Sequence, residues 1–462
     1  MRDGIEAELA ECQRPDARHM KRLARLFGRL SERPVGSLPP AGHGWAETVA
    51  ASRFLNTPDI GVQEMLSGHP HATLERLRTQ AVVFLVQDTT VLNDGTTQPK
   101  AAMGTVKLRT REESLLHPTV ALTPERVNVG VVGMNVWPRP EQPVAPPRNS
   151  KPVEEKERYR GREGYRCAGA VNHGCPATLV VHLADRDGAS QEWVVAAMRR
   201  EPEQRAAWSI RATCHRRLVP GAAPRYFWAE RPQTPAWGTR TIELARQPER
   251  PPRPGTLSGT ATPVTFRGAR RPGGPRPPVT GRAGYAQASC PPQGEDPLAW
   301  GRRTSLPVTD FPRACPVVPG SRCRWDMERW FRGLKQGGQS EPLRVQTEPR
   351  VLKALALYVL VAWRSHNSTM AGRAYPEGSC EVVFAPQAWS PLSTRQPHWH
   401  PPPTPPPRRE MGRNLAQLGG VFARQGDGEP GINAIWQGYQ RRHDCIYAID
   451  TSRTVNALER NV

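Results

Sequence analysis

The residues best placed to do chemistry are three carboxylates, Asp88, Asp185 and Glu328. Each Asp directly follows an apolar run typical of a buried strand, AVVFLVQD (81–88) and ATLVVHLAD (177–185). Strand-end carboxylates joined by a helical Glu can hold two divalent cations roughly 3.5–4 Å apart, which stabilise the attacking and leaving oxygens of phosphoryl transfer. Oxygen ligands favour Mg²⁺ or Mn²⁺. Acids often end strands, so this spacing also occurs without a metal site.

The segment around Glu328 adds two cations to the carboxylate. In SRCRWDMERWFRGLK, Arg324, Glu328 and Lys335 are four and seven residues apart and share one helix face. One carboxylate for a metal, flanked by two cations for phosphates, suits such a phosphoryl transfer. The alternative is an ordinary helix with salt bridges on its surface.

The charge balance indicates a polyanionic partner. The 462 residues include 64 Lys and Arg against 43 Asp and Glu, a net charge of +21. Only seven of the basic residues are Lys, and the planar guanidinium of Arg can bind phosphate through two hydrogen bonds. A GC-rich genome would also favour Arg over Lys, but it would not produce the net charge. Nucleic acid is therefore the expected partner.

The composition argues against secreted, membrane and zinc-binding proteins. The first residues, MRDGIEAELAEC, lack the apolar run of a signal peptide. The longest apolar run, ALALYVLVAW (354–363), is far shorter than the roughly 18 residues of a membrane span. Nine scattered cysteines indicate a reduced, cytoplasmic protein, and Cys167, His173 and Cys175 lack a matching second pair of zinc ligands.

Helical and extended patterns alternate along the chain. Residues 218–298 are rich in Pro, Arg, Gly and Thr and indicate an inserted β-rich subdomain. A polyproline break is expected at 398–410. Helices are predicted at 16–30, 45–56, 154–166, 322–335, 351–363, 410–424 and 431–449, and strands at 81–88, 127–137, 177–185 and 205–213.

These motifs occur in the order of a known family. The chain resembles the bacterial DDE cut-and-paste transposases of insertion-sequence-four type, the group of transposon five. Their signature is Tyr, two residues, Arg, three residues, Glu, six residues, Lys, and this sequence has Ser321, Arg324, Glu328 and Lys335 in that frame. Other segments also resemble the family: VQDTT (86–90), HPTVALTPERVNVGVVGMNVW (117–137), ADRD (184–187), DPLAW (296–300) and LAQLGGVFARQGDGEPGINAIWQGYQ (415–440).

The resemblance implies an α/β fold with an RNase H-like mixed-sheet catalytic core, a β-rich insertion, and helical N- and C-terminal domains. Residues 1–70 would bind DNA ends, residues 71–365 would form the core with 218–298 inserted, and residues 366–462 would mediate dimerisation. It implies an enzyme of a mobile element that cleaves each transposon end, forms and then opens a DNA hairpin at that end, and joins the freed end to target DNA. The partners would be double-stranded DNA and a second copy of the chain in a synaptic complex.

The resemblance also implies roles for individual residues. Asp88, Asp185 and Glu328 would bind two Mg²⁺ or Mn²⁺ ions, and Arg324 and Lys335 would hold DNA phosphates near the hairpin. Trp300 matches a Trp that stacks on a flipped base; its alternative is a core Trp at a strand start. Arg53 matches an Arg-Phe pair on the end-binding helix, and the basic helix carrying Arg18 and Arg22 is the other expected DNA contact. Each of these cations could instead be an ordinary surface residue.

Several departures from the family predict an impaired copy. Ser321 replaces the signature Tyr, and Gly301, Arg302 and Arg303 replace a buried apolar strand, where an unpaired cation would cost several kcal/mol. Three prolines precede the signature helix, and Gly161 replaces a Trp; the prolines are Pro312, Pro316 and Pro319. We expect weak or absent transposition with DNA binding retained. The alternatives are a catalytically dead, transposase-derived DNA-binding protein and an unrelated basic scaffold with disordered linkers.

Overall fold

The computed structural model gives a mixed α/β protein with helices at both ends and a large central sheet. No helix formed by the residues it describes is long and apolar enough to span a membrane. The residues described are 2–12, 16–32, 45–58, 60–92, 114–138, 160–184, 191–212, 217–219, 226–229, 238–244, 253–268, 270–271, 274–275, 277–288, 298–307, 320–338, 348–382, 384, 389, 404–422, 424 and 429–459.

Helices dominate the N-terminal part and follow the predicted apolar spacing. The second helix buries Leu23, Phe27 and Leu30 and leaves its cations outside. The third helix coincides with the predicted 45–56 segment. The helices are α1 (Arg2–Leu9), α2 (Ala17–Glu32), α3 (Trp45–Asn56), α4 (Val62–Leu66) and α5 (Gly68–Arg78).

Within the described residues, eleven strands form one sheet. Along it the order is β2-β3-β1-β5-β6-β13-β12-β9-β7, with β4 beside β3 and β8 beside β9, while β10 and β11 form a separate pair. The strands are β1 (Val82–Gln87), β2 (Thr90–Leu92), β3 (Ser114–Leu122), β4 (Asn128–Pro138), β5 (Leu179–Ala184), β6 (Ala207–Ala212), β7 (Leu218–Val219), β8 (Gly238–Leu244), β9 (Arg253–Phe266), β10 (Arg270–Arg271), β11 (Gly274–Pro275), β12 (Val279–Ala288) and β13 (Ala299–Thr304).

The order of β1, β5 and β6 gives the sheet its mixed character. Strand β1 pairs antiparallel with β3 and parallel with β5, and β5 pairs parallel with β6. Parallel strands in the middle of a sheet need helices on both faces. Here α6 (Arg160–Gly174) and α7 (Gln191–Met198) cover one face, and α8 (Gly320–Gly338) and α9 (Glu348–Ala374) cover the other. This is the predicted RNase H-like arrangement.

Successive side chains of β1 point to opposite faces of the sheet and therefore pack in two different cores. Phe84 and Val86 pack with α8 and α9, whereas Val83 and Leu85 pack with α6 and α7. The 27-residue helix α9 contacts α2, α3, α4 and α8, so it joins the N-terminal helices to the sheet. The start of the predicted 154–166 helix lies outside the described residues; helix α6 is observed from Arg160 and continues to Gly174.

The β-rich insertion extends the central sheet. Strands β7, β8, β9 and β12 fall within residues 218–298 and join the sheet through β13, which pairs with β6. A third hydrophobic core lies in the C-terminal part and includes Met411, Leu415 and Tyr439. It is built on α10 (Arg408–Leu418) and α11 (Ile432–Glu459), the two helices predicted after the polyproline segment.

The expectation of unpaired buried cations at Arg302 and Arg303 was wrong. Both are buried in β13, but Arg302 donates to Ser209 Oγ at 3.0 Å, and the Arg303 guanidinium lies 5.5 Å from the centre of the Phe266 ring. Burial lowers the pKa of Arg302 to about 10. A Cβ at Gly301 would lie 2.5 Å from Phe227, so an apolar side chain at this position would not fit.

Candidate active site

The first candidate carboxylate lies in a break between two strands. Strands β1 and β2 pair with the same strand, β3, and their pairing positions belong to one continuous register. Asp88 and Thr89 separate the two strands and lie opposite Pro118 and His117. Because Pro118 has no backbone N–H to donate, it favours an interruption of the ladder at this point. Asp88 is half-buried.

The second candidate carboxylate lies on the helix that covers this part of the sheet. Asp88 falls on the same strand alternation as Phe84 and Val86, which pack in the core shared with α8. Helix α8 contacts β1 and carries Glu328 in a half-buried position. The fold therefore brings the strand that directly precedes Asp88 into contact with the helix that carries Glu328.

The third candidate, Asp185, lies outside the described residues. It follows directly after Ala184, the last residue of β5, and β5 is the parallel neighbour of β1. Among the described residues, which do not include Asp185, no group of three His, Cys, Asp or Glu side chains is arranged to hold a metal. The two described carboxylates have the oxygen donors that Mg²⁺ and Mn²⁺ prefer.

The outer surface of α8 is basic and carries an exposed aromatic ring. Trp325 is 61% exposed, and Arg329 and Arg332 follow it by four and seven residues on adjacent turns. Lys335 is half-buried two turns beyond Glu328. The side chains of Ser321 and Arg324 lie outside the described residues, although both belong to α8. Trp325 was missed in the sequence, where a Trp at helical spacing more often indicates core.

A buried ion pair anchors α8 to the sheet, and it too was missed. Asp326 is 1% exposed and accepts hydrogen bonds from Arg126 and Arg329. Arg126 belongs to the turn between β3 and β4, and its hydrogen bonds to Asp326 raise its pKa. Asp326 and Glu328 are two residues apart, so the pair also fixes the position of the candidate ligand. The pair joins residues far apart in the chain, so no local pattern could indicate it.

Trp300 is not a buried core residue. It is half-buried on β13, opposite Ala286 of β12, so part of its ring is accessible. The neighbouring strand positions Arg302 and Arg303 are buried. This arrangement leaves an aromatic surface at the start of β13. In the sheet, β6 lies between β13 and the two strands that precede Asp88 and Asp185, β1 and β5.

The predicted cations of the N-terminal helices lie mainly at the surface. Arg18 and Arg53 are exposed and Arg22 is half-buried. The Arg18 side chain is 92% exposed although it pairs with Asp16 at 3.3 Å, an arrangement that contributes little to stability. The ring of His19 lies 6.4 Å from that of Phe54, which places the first turns of α2 beside the last turn of α3.

Two family models match this chain, one at each end. Residues 1–60 match the model described as Transposase DNA-binding. Residues 360–456 match the model described as Transposase Tn5 dimerisation domain. The first match supports DNA as a partner, and the second supports assembly with another copy of the same chain.

Proposed function

We propose that this chain is a Tn5-like transposase, as the matches to residues 1–60 and 360–456 support, and that it cleaves transposon ends and joins them to target DNA by metal-dependent phosphoryl transfer. Transposases of this kind are DNA-cutting enzymes. The observation that carries the proposed mechanism is the packing of α8 on β1, because it brings the helix of Glu328 to the strand that directly precedes Asp88.

The proposed ligands are Asp88, Asp185 and Glu328. When two Mg²⁺ or Mn²⁺ ions are bound, they stabilise the attacking and leaving oxygens of an in-line displacement at phosphorus. The carboxylates would hold the ions at the end of β1 and β5. Asp88 directly follows a strand of the sheet, and Glu328 lies on a helix packed against that strand. Placement on such rigid elements limits movement of the metal ligands.

Cations on the helix of Glu328, and an aromatic ring farther along the sheet, would position the DNA. Arg324 and Lys335 are proposed to hold phosphates near the cleaved bond, and Arg332 is exposed on the same helix, α8. Trp300 is proposed to stack on a base that leaves the helix when the DNA hairpin forms, since an aromatic face can replace base stacking. Its partial exposure supports this role over that of a core Trp.

We propose that three regions of the chain bind DNA ends, catalyse the reaction and mediate dimerisation, respectively. Residues 1–70 bind transposon ends, with Arg18, Arg22 and Arg53 among the DNA contacts. Residues 71–365 carry the catalytic core, including the insertion at 218–298, and residues 366–462 pair with a second copy. The matches to residues 1–60 and 360–456 support the outer two regions.

Nicking of a labelled transposon-end duplex tests the catalytic proposal. We expect weak Mn²⁺-dependent nicking, as for an impaired copy, that is lost in Asp88→Asn and in Glu328→Gln, because each amide removes a negative ligand. Both variants should keep their affinity for end DNA. The matched control is Glu75→Gln, at a Glu whose side chain is 70% exposed on α5. Equal nicking by Glu328→Gln and the unaltered chain would exclude Glu328 as a ligand.

A catalytically dead, DNA-binding derivative is the second candidate function. It is favoured by Ser321, which stands where the family signature has Tyr and removes one phenolic hydroxyl from the proposed phosphate contacts. Because Arg302 is hydrogen-bonded to Ser209, unpaired buried cations no longer support this second function. If the unaltered chain binds ends without nicking them and Ser321→Tyr restores nicking, this second function is the correct one.

A further inference from the structure

One imidazole ring holds both sequence neighbours of Asp88. His117 Nδ1 lies 2.8 Å from Thr89 Oγ1, and His117 Nε2 lies 3.3 Å from Gln87 Oε1. The backbone N–H of Thr89 also donates to Asp88 Oδ1 at 2.9 Å. The interruption between β1 and β2 is therefore closed on the side of β3 by a chain of hydrogen bonds that begins and ends next to Asp88.

For a neutral His117 ring, the donors and acceptors in this chain permit one arrangement of protons. A carboxamide oxygen only accepts, so His117 Nε2–H donates to Gln87 Oε1. The neutral ring then accepts at Nδ1, and the Thr89 hydroxyl donates to it. With its hydroxyl hydrogen directed at His117, Thr89 has one preferred orientation. Its N–H, which contacts the Asp88 carboxylate, is held with it.

The inner part of this chain is rigid because it is enclosed. His117 and Gln87 are 6% and 4% exposed and lie between the sheet and α6. Gly164 of α6 leaves the space that Gln87 occupies, since a Cβ at that position would collide with Gln87 Oε1. Thr89 is exposed, and among the described residues its hydrogen bonds join it to His117 and Asp88.

We infer that His117 is a positioning residue, which acts through Thr89 to fix the carboxylate of Asp88 for metal binding. This inference rests on the proposed function, because it assigns Asp88 as a ligand. The strand break takes Asp88 out of the backbone ladder, and the hydrogen bonds of His117 with Gln87 and Thr89 hold the residues on either side of it. Groups that orient metal ligands commonly change metal affinity or activity by about 10–100-fold when they are removed.

The experiment uses the full chain, a labelled end duplex and Mn²⁺ as the probe. Thr89→Val keeps the shape of the side chain but cannot donate to His117, and Thr89→Ser keeps the hydroxyl. We expect Thr89→Val to raise the Mn²⁺ concentration for half-maximal nicking, or to lower the nicking rate at fixed Mn²⁺, by about 10–100-fold. Thr89→Ser should keep most of the Mn²⁺-dependent nicking of the unaltered chain. Both variants should have unchanged affinity for end DNA and unchanged melting temperature.

A double-mutant cycle with His117→Leu identifies the ring as the partner. If His117 acts through Thr89, the combined variant should be no more impaired than Thr89→Val alone. Unchanged Mn²⁺ dependence in Thr89→Val, when Asp88→Asn abolishes nicking, would overturn the inference and leave the proposed function standing. Absence of Mn²⁺-dependent nicking by the unaltered chain, or full nicking by Asp88→Asn, would instead refute the proposed function and this inference with it.

Discussion

The guanidinium of Arg126 and the carboxylate of Asp326 form a two-bond ion pair between the β3–β4 turn and α8. The Nε–Oδ2 and Nη2–Oδ1 distances are 2.7 and 2.5 Å. Arg126 has a φ of 72°, a left-handed conformation that is unfavourable for a residue with a Cβ. The ion pair compensates for this local strain, and it holds α8 two residues before Glu328.

Arg126→Ala should destabilise the protein and reduce nicking together. It leaves Asp326 buried with Arg329 as its remaining partner, and removal of one partner of a buried pair costs about 3–5 kcal/mol. Because Arg329 remains, we expect the lower end of that range in the free energy of unfolding, measured with urea. The control is Arg329→Ala, whose side chain is 43% exposed. An Arg126→Ala chain as stable as that control would show that the pair does not anchor α8.

The cations of α2 should contribute to the salt dependence of DNA binding. Lys21 and Arg25 are exposed and Arg22 is half-buried on this helix. Replacing all three with Gln should weaken binding to end DNA and make the log–log salt slope shallower by about 0.9 for each phosphate that the protein no longer neutralises. Arg29→Gln is the control, since Arg29 lies 3.6 Å from Glu32 and 3.9 Å from Glu47. An unchanged slope in the triple variant would place the DNA-binding surface elsewhere.

Trp300→Ala should separate two steps of the proposed reaction. If the ring receives a flipped base, the variant should nick normally but form hairpins slowly, because only the hairpin requires an extruded base. Gel separation of nicked and hairpin products measures both steps. A variant that loses both steps equally, with a lower melting temperature, would show that Trp300 is structural.

Lys353→Met should loosen the N-terminal helices from α9. The ammonium group is buried and donates to the backbone carbonyls of Leu55 at 3.2 Å and Thr57 at 2.7 Å, where α3 ends. A cation at a helix C-terminus satisfies carbonyls that lack helical partners. Loss of hydrogen bonds from a charged group should cost about 1.5–3 kcal/mol, seen as earlier urea unfolding and faster proteolysis after residue 56. Lys353→Arg should recover part of this stability.

His182 should make the protein less stable in acid. Burial lowers its pKa to about 3, whereas an unfolded His binds a proton near pH 6.5. The unfolded state therefore binds more protons between these values, and the free energy of unfolding falls as pH decreases, by about 1.4 kcal/mol per pH unit. In the described part of the chain, neither ring nitrogen of His182 has a hydrogen-bond partner.

His182→Leu removes this titration and keeps an apolar contact with Tyr165 and Trp193, whose rings lie 5.6 and 5.4 Å from His182. At pH 5 the free energy of unfolding of the variant should exceed that of the unaltered chain by about 2 kcal/mol. At pH 7 the difference should be smaller. Urea unfolding at both pH values measures the difference. The same pH dependence in both proteins would mean that His182 is not the responsible group.

Local sequence patterns determined most of the elements and their order. The spacing of Leu23, Phe27 and Leu30 predicts α2 because one helical face must be apolar to be buried. The continuous apolar run before Asp88 predicts a strand covered on both faces, and the structure places β1 between two cores. These features depend on residues a few positions apart, so the sequence alone specifies them.

Only the tertiary structure decided which distant residues meet. Arg126 and Asp326 are 200 residues apart, and their pairing depends on how α8 packs against the sheet. Arg302 is a cation in a strand by sequence, yet it is accommodated because Ser209 lies within hydrogen-bond distance on β6. His117 contacts Thr89 because β1 and β2 share one register on β3. Such contacts follow from strand order and helix packing, which the free energy of the whole core determines and no local pattern contains.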